Sequence, residues 1–185
     1  MQVALVERAR AGDEEAFASL ARAAGDRLLA IAYRILRDLG LAEDAVQQTL
    51  VLAWRELPAL RDVERFDAWL RRLLVNACYR EARRGRRWAT NLRVLPLDQP
   101  TGSDDYAVVV ARDQLERGFR RLPTEQRAVF VFHHYLGLTL LEVADELGVP
   151  LGTVKSRLHY ATNTLRAALE ADLRTPTDSS REHSA

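Results

Sequence analysis

The chain has 185 residues, 48% hydrophobic and 29% charged, which is typical of one globular domain or two small ones. Its net charge is only +1, so any attraction to nucleic acid must come from local clusters of charge. The single cysteine, Cys78, excludes an intramolecular disulfide and a thiolate zinc cluster and favours a reducing, cytoplasmic setting. No run of about eighteen apolar residues occurs, so neither a secreted nor a membrane-spanning protein is expected.

Scarce glycine and proline, with abundant Leu, Ala, Arg and Glu, predict an all-α fold. We expect two small helical domains joined by a flexible linker, the second containing a helix-turn-helix. Residues 91–105 hold two prolines, a glycine and three aspartates without a sustained period, which indicates a linker. The predicted boundaries are 1–88 for the first domain, 89–111 for the acidic linker, 112–174 for the second domain and 175–185 for a disordered tail.

Three helices are predicted in the first domain. Apolar residues recur at helical spacing between Phe17 and Leu36, and Gly40 is expected to break the chain. A second helix should span residues 42–57, a loop should begin at Pro58, and a third, long helix should run from Phe66 to about Arg84.

The second of these helices carries a polar face. Glu43, Asp44, Gln47 and Gln48 recur at spacings of three and four residues and therefore share one side. Acids are favoured at a helix N-terminus, so a merely solvated face is the simpler interpretation of this pattern alone.

The third helix alternates aromatic rings with arginines. Trp69, Arg72, Asn76, Arg80 and Arg83 fall on neighbouring faces. Cations that follow phosphates beside rings that receive unstacked bases are what single-stranded DNA binding requires. The alternative is that Trp69 and Tyr79 belong to the core and that the arginines are ordinary surface residues.

In the second domain, Pro123 suits the first turn of a helix that Gly137 ends. Thr139 and Glu142 have the spacing of a capping box, and Gly148 supplies a left-handed stop before Val149–Pro150. These signals predict two short helices joined by a tight turn, as in proteins that bind the major groove of DNA.

The second helix of this pair has a clear apolar side. Val154, Leu158, Ala161, Leu165 and Leu169 lie on one face. At about 100° per residue, the opposite face holds Gly152, Ser156, His159 and Tyr160, flanked by Thr153, Lys155 and Arg157. Small and polar residues near the helix start suit close approach to base edges, whereas an ordinary helical hairpin would only solvate them.

Four motifs in this order carry a resemblance that covers nearly all of residues 10–170. They are Ala42-Glu-Asp-Ala-Val-Gln-Gln, Trp69-Leu with Asn76 downstream, Leu122-Pro-Thr-Glu-Gln-Arg127, and Gly152-Thr-Val-Lys-Ser-Arg-Leu158. The chain resembles the extracytoplasmic-function sigma factors, a subfamily of the sigma-70 family of bacterial transcription initiation factors. The resemblance implies binding to core RNA polymerase, through the β′ clamp helices and the β subunit, and to promoter DNA, with no cofactor, no metal and no enzymatic activity.

The resemblance also implies a role for each surface. Core polymerase would contact Glu43, Asp44, Gln47 and Gln48. Melted −10 DNA, with a flipped base near the loop from Pro58 to Phe66, would contact Arg61, Phe66, Trp69, Arg72, Asn76, Arg80, Arg83 and Arg84. The −35 element would contact Thr153, Lys155, Ser156, Arg157, His159 and Tyr160. The acidic linker would pass through the polymerase channels, and an anti-sigma factor is a further partner that many relatives have.

Two positions depart from the family pattern. Arg80 stands where an aspartate is common, so either a local ion pair is missing or the arginine binds a phosphate instead. Tyr160 stands where the recognition helix commonly has an arginine, so the usual −35 preference does not transfer to this chain.

Two other functions fit parts of the pattern. A helix-turn-helix regulator that acts on duplex DNA without polymerase would leave the polar face of residues 43–48 unexplained. A hydrolase with His133, His134 and Glu142 as metal ligands is disfavoured, because adjacent histidines on a helix point about 100° apart.

Overall fold

The computed structural model describes the backbone of residues 2–91 and 115–173 and the side chains of residues 3–85 and 115–170. The first block contains α1 (Gln2–Arg10), α2 (Glu14–Leu36), α3 (Leu39–Glu56) and α4 (Phe66–Asn91), with two short 3₁₀ turns, Leu57–Ala59 and Val63–Arg65, before α4. The second contains α5 (115–121), α6 (Thr124–Phe130, continued by a π-helical turn, Val131–Tyr135), α7 (Leu140–Leu147) and α8 (Leu151–Leu173). Every regular element in these ranges is helical, which confirms the all-α class. The predicted linker beyond residue 91 and the predicted tail lie outside the described residues.

The break between α2 and α3 lies earlier than predicted. Arg37 adopts a left-handed conformation with φ of 60°, and the Asp38 side chain accepts a hydrogen bond from the Leu41 amide at 2.9 Å. Gly40 sits inside the first turn of α3, so the expectation that it breaks the chain was wrong. The reason is that the cap of Asp38 starts the helix before the glycine is reached.

The first block is built around the pairing of α3 and α4 and of α2 and α3. Leu28, Ile31 and Ile35 of α2 are fully buried together with Leu57 and Leu74. Burying large aliphatic side chains is the main favourable term in folding. The outward faces of α3 and α4 are therefore fixed by the apolar stripes on their inner sides.

The helix-turn-helix forms as predicted. Thr139 Oγ1 accepts a hydrogen bond from the Glu142 amide at 3.3 Å, and the Thr139 amide donates to Glu142 Oε2 at 2.7 Å. Hydrogen bonds from Thr139 lower the pKa of the Glu142 carboxyl. Gly148 ends α7 in the left-handed conformation, with φ of 65°, and Gly137 ends the preceding helical turn with φ of 72°.

The two blocks pack against each other. Phe132, Val143 and Val154 of the second block are fully buried in the same apolar cluster as the core of the first. The contacts run from α6 and its π-helical turn to α2 and α4, and from α7 to α4. A smaller cluster of Leu122, Ala161 and Leu165 ties α8 to the start of its own block.

Ion pairs flank this packing. Arg71 donates through both its Nε, at 2.8 Å, and its Nη2 to the carboxylate of Glu146, and the two side chains are only 16% and 7% exposed. The hydrogen bond to Glu146 raises the pKa of Arg71. Next to it, Arg65 pairs with Asp145, but both of these side chains are about 60% exposed. Helix α7 is thus held by one mostly buried pair to Arg71 of α4 and by one exposed pair to Arg65 of the 3₁₀ turn that precedes α4.

We expect Glu146→Ala to destabilise the chain by up to ~3 kcal/mol, because it leaves the Arg71 guanidinium largely buried without its partner. The measurement is the free energy of unfolding from urea denaturation. Asp145→Ala is the matched control, since it removes a neighbouring carboxylate from an exposed pair and should change stability far less. Equal losses in the two variants would show that burial of the Arg71–Glu146 pair does not matter.

Candidate polymerase and promoter interfaces

The polar side of α3 forms a continuous surface. Glu43, Asp44 and Gln47 are exposed, while Ala42 and Ala45 on the opposite side are fully buried. The structure therefore brings the predicted polymerase-contacting residues together on one face. Gln48, the fourth of them, is half-buried.

The Gln48 side chain is already engaged. Its Nε2 donates a hydrogen bond to Oε1 of Glu81 on α4. Glu81 is 3% exposed, and its second oxygen has no hydrogen bond among the described residues, although Arg84 Nη1 lies 4.0 Å away. A buried acid thus lies directly beneath the predicted docking face.

A cavity of about 370 Å³ opens beside this hydrogen bond. Its lining consists of Gln47, Gln48, Val51, Leu52 and Arg80. Val51 is 55% exposed, so the lining offers apolar surface among polar side chains. Arg80, predicted to contact −10 DNA, lies at the edge that α4 shares with the α3 face.

The outward side of α4 is cationic. Arg72, Arg80, Arg83 and Arg84 are exposed along it together with Asn76, and Arg61 is exposed in the segment that precedes the helix. Arg83 lies 11 residues and Arg84 12 residues after Arg72, about 17 Å along a helix. The arginines can therefore follow several phosphates of one strand.

The two aromatic residues at the start of α4 differ in access. Phe66 is 4% exposed and belongs to the core. Trp69 is half-buried against that core, with its ring centroid 5.8 Å from that of Phe66. The burial of Phe66 favours a structural role, because its ring is not accessible to a base. Trp69 keeps an accessible part.

Tyr79, the other aromatic residue of α4, packs against the core. Burial raises the pKa of its hydroxyl to about 12, against a smaller opposing effect of the Arg157 charge from α8. The hydroxyl makes no hydrogen bond with the described residues. Tyr79 thus fits the core alternative.

Helix α8, the second helix of the helix-turn-helix, has one buried apolar side and one exposed polar side. Val154 and Ala161 are fully buried and Leu165 is 4% exposed. On the other side, Gly152, Lys155, Ser156, His159 and Tyr160 are exposed, whereas Thr153 and Arg157 on the flanks are half-buried. Tyr160, the one Phe, Tyr or Trp residue of α8, is 61% exposed.

Local hydrogen bonds arrange part of this face. Ser156 Oγ donates to the Thr153 carbonyl at 3.0 Å, and His159 Nε2 lies 2.9 Å from Asn163 Nδ2. Both contacts stay within α8, so the side chains are held by their own helix. The Ser156 and His159 side chains can therefore keep these orientations if α8 moves relative to the rest of the chain.

Three residues at these surfaces were not predicted from the sequence. Glu81 beneath the α3 face and the pair Arg71–Glu146 between the blocks were not singled out. The sequence signal that could have identified Glu81 is an acid at a position where the helical period predicts an apolar side chain. Glu81 follows Leu74, Ala77 and Cys78 on the buried side of α4.

The residues of the metal-hydrolase alternative have other roles. His133 Nδ1 lies 2.7 Å from the Leu138 carbonyl, the His134 ring packs on Phe130, and Glu142 caps α7. Within residues 3–85 and 115–170, no group of three or more potential ligands could hold a metal ion. No helix of that part of the chain is long and apolar enough to cross a membrane.

Comparison with known proteins agrees with this arrangement. The family model for sigma-70 region 2 matches residues 20–88, and that for sigma-70 region 4 matches residues 112–165. The ECF RNA polymerase sigma factor SigL of Mycobacterium tuberculosis is 34% identical over 170 residues, covering 86% of this chain and 94% of SigL. SigM of the same organism is 35% identical over 161 residues, covering 86% and 80%.

Two solved structures share the fold. CnrH, solved in complex with the cytosolic domain of CnrY, has a TM-score of 0.64 and 28% identity over 92% of this chain and 98% of that chain. The sigma factor RpoE of Bartonella quintana, solved with the anti-sigma factor NepR, has a TM-score of 0.63 and 24% identity over 80% and 92%. A match to region 2 as well as to region 4 supports a sigma factor over a regulator that acts without polymerase. The chain belongs to the extracytoplasmic-function sigma factors of the sigma-70 family, which bind core RNA polymerase and direct it to promoters.

Proposed function

We propose that this sigma factor works by recruitment and strand opening, without covalent catalysis, through three surfaces. The α3 face binds the β′ clamp helices, the outward side of α4 holds melted −10 DNA, and α8 reads the −35 element, with the second domain also touching the β subunit. The observation that carries this proposal is that each surface is exposed while the opposite side of the same helix is buried.

The α3 face suits a basic helical partner. Glu43 and Asp44 supply carboxylates, and Gln47 and Gln48 supply amides that can both donate and accept hydrogen bonds. Opposite charges across an interface raise the association rate and fix the register of the partners. The exposed Val51 beside them adds the apolar contact that a charged rim alone would lack.

Asp44→Ala combined with Gln48→Ala should lower the affinity for core polymerase at least tenfold, a loss of roughly 1.4 kcal/mol or more. Affinity is measured by titrating labelled sigma factor with core enzyme, and far-UV circular dichroism checks that helicity is intact. Asp26→Ala removes an exposed carboxylate on α2 and serves as the matched control. Parental affinity in the double variant contradicts the docking assignment.

The α4 surface combines phosphate binding with a partly accessible ring. Unpairing and unstacking a base costs a few kcal/mol. Stacking contributes ~1–3 kcal/mol per base, and phosphate contacts from Arg61, Arg72, Arg80, Arg83 and Arg84 add to it. A base that stacks here would meet the exposed part of Trp69, with the Asn76 amide available to its polar edge.

We expect Asn76→Ala to impair strand opening more than initial docking, since its partner is accessible only once the duplex has opened. Permanganate reactivity of −10 thymines should fall, while a pre-melted template should largely restore transcription. Trp69→Ala separates the two roles of that ring: a structural contribution appears as a sharp drop in melting temperature, a stacking contribution as an opening defect in a stable protein. Equal losses of transcription on duplex and pre-melted templates would exclude strand opening as the role of Asn76.

The exposed face of α8 can lie against base edges. A side chain that contacts a base contributes about 1–3 kcal/mol of discrimination, whereas a phosphate contact weakens binding to all sequences. Tyr160 offers one hydroxyl and a ring where an arginine would offer a bidentate fork. We therefore propose a looser preference at the position that Tyr160 reads.

Tyr160→Arg should sharpen or switch preference at one or two −35 positions and leave −10 selection unchanged. Transcription from a library with a randomised −35 element, profiled with the parent and the variant, measures this directly. Since Tyr160 is 61% exposed, the exchange should not disturb the fold. Identical profiles would show that Tyr160 does not read bases.

Use of both promoter elements requires the two blocks to separate. The −10 and −35 elements lie about 25 base pairs apart, or ~85 Å along B-form DNA. A compact chain of this size has a radius of gyration of about 16 Å. Promoter binding would therefore break the Arg71–Glu146 pair and the apolar contact beside it, at a cost that polymerase and DNA contacts must offset.

The cellular location follows from the proposed partners. Because core polymerase and promoter DNA are its partners, we propose that this chain acts in the cytoplasm. CnrH was solved with a protein bound, the cytosolic domain of CnrY. We include an anti-sigma factor among the proposed partners on that similarity and on the family resemblance.

A further inference from the structure

The buried carboxylate of Glu81 is not explained by the stability of the helix pair. It occupies the apolar side of α4, one turn after Ala77 and Cys78, and is only 3% exposed. Burying an acid costs free energy unless its oxygens are fully hydrogen-bonded, and a well-packed apolar side chain at such a position is often as stable or more stable. One oxygen of Glu81 lacks a hydrogen bond among the described residues.

The other oxygen determines how Gln48 is oriented. A carboxylate can only accept hydrogen bonds, so the Gln48 amide must turn its NH₂ group towards Glu81. The carbonyl oxygen of that planar amide then lies on the side away from Glu81. Gln48 also lines the groove with Gln47, Val51, Leu52 and Arg80. The result is a fixed hydrogen-bond acceptor at the docking face.

We propose that Glu81 is a positioning residue for polymerase binding: it holds the Gln48 amide so that its carbonyl oxygen faces a cationic or amide donor of the core enzyme. This rests on the proposed docking role of the α3 face. Without Glu81, the amide could rotate and present its NH₂ group, which would repel a cationic partner instead of accepting its hydrogen bond. Affinity increases because the orientation is set before binding.

The first test compares variants at position 81 in core-polymerase titrations. Glu81→Met removes the acceptor while keeping a similar length, and it should lower affinity about tenfold, as expected for a lost hydrogen bond to a charged group. Glu81→Gln can still accept through its amide oxygen and should stay within about twofold of the parent. The melting temperature of Glu81→Met should not fall, which a purely structural role would not predict.

A reciprocal exchange gives a second test that does not depend on the folding of Glu81→Met. Gln48→Glu sets two carboxylates against each other and should weaken core binding. Adding Glu81→Gln places an amide donor at position 81 opposite the new carboxylate at position 48. The second oxygen of that carboxylate can then accept a hydrogen bond on the groove side. Affinity should recover to within a few-fold of the parent.

The outcomes separate this inference from the docking proposal. If the double variant Asp44→Ala with Gln48→Ala binds core like the parent, the α3 docking face itself is wrong. If Gln48→Ala weakens core binding while Glu81→Met, and Gln48→Glu without Glu81→Gln, bind core normally, only the positioning role is overturned. Positioning through Gln48 also requires that Gln48→Ala with Glu81→Met bind no more weakly than Gln48→Ala alone, and additive losses contradict it.

Discussion

The packing of α6 and α7 on α2 and α4 is the constraint on which the other surfaces depend. Phe132, Val143 and Val154 are buried in one apolar cluster with Ile31 and Leu74. A helix has only one apolar side of this kind, so burying it determines which residues face outwards. The exposed faces of α4 and α8 are therefore consequences of how the core is filled, and they need no interaction among the polar residues themselves.

Charge is distributed over α4 according to the same geometry. Arg71 and Arg72 are neighbours in sequence but point about 100° apart. Arg71 meets the carboxylate of Glu146, whereas Arg72 remains exposed beside Gly148 at the end of α7. One helix can thus keep exposed cations on one side and use another arginine to hold the second block. Because the pair with Glu146 is mostly buried, salt screens it less than the exposed Arg65–Asp145 pair.

Local signals in the sequence predicted most of the fold. The capping box of Thr139, the left-handed Gly148 and the apolar period of α8 each depend on residues within one or two turns, and the structure confirms them. The break after α2 was misplaced because Arg37 adopts a positive φ that a glycine would have indicated more clearly. The exposure of the predicted polar faces could likewise be predicted, because the apolar period shows which side of a helix faces outwards.

Contacts between distant residues could not be predicted in the same way. Glu81 meets Gln48 across 33 positions and Arg71 meets Glu146 across 75. No helical period relates such residues, and their pairing appears only when the helices are packed. The burial of Phe66 has the same origin: the family resemblance implied contact with −10 DNA, whereas the ring packs into the core.

The two buried acids nevertheless share a feature that sequence alone displays. Each interrupts the apolar side of a helix, Glu81 after Cys78 and Glu146 after Val143. Such a position is costly for a carboxylate unless a specific donor reaches it. For Glu146 that donor is the Arg71 guanidinium, which satisfies both oxygens. For Glu81 it is a single amide, and the other oxygen has only Arg84 Nη1 at 4.0 Å and no hydrogen bond, which leaves part of the cost uncompensated. An acid that is fully paired is explained by the contact it makes, whereas one that is half paired points to a constraint outside the folded chain.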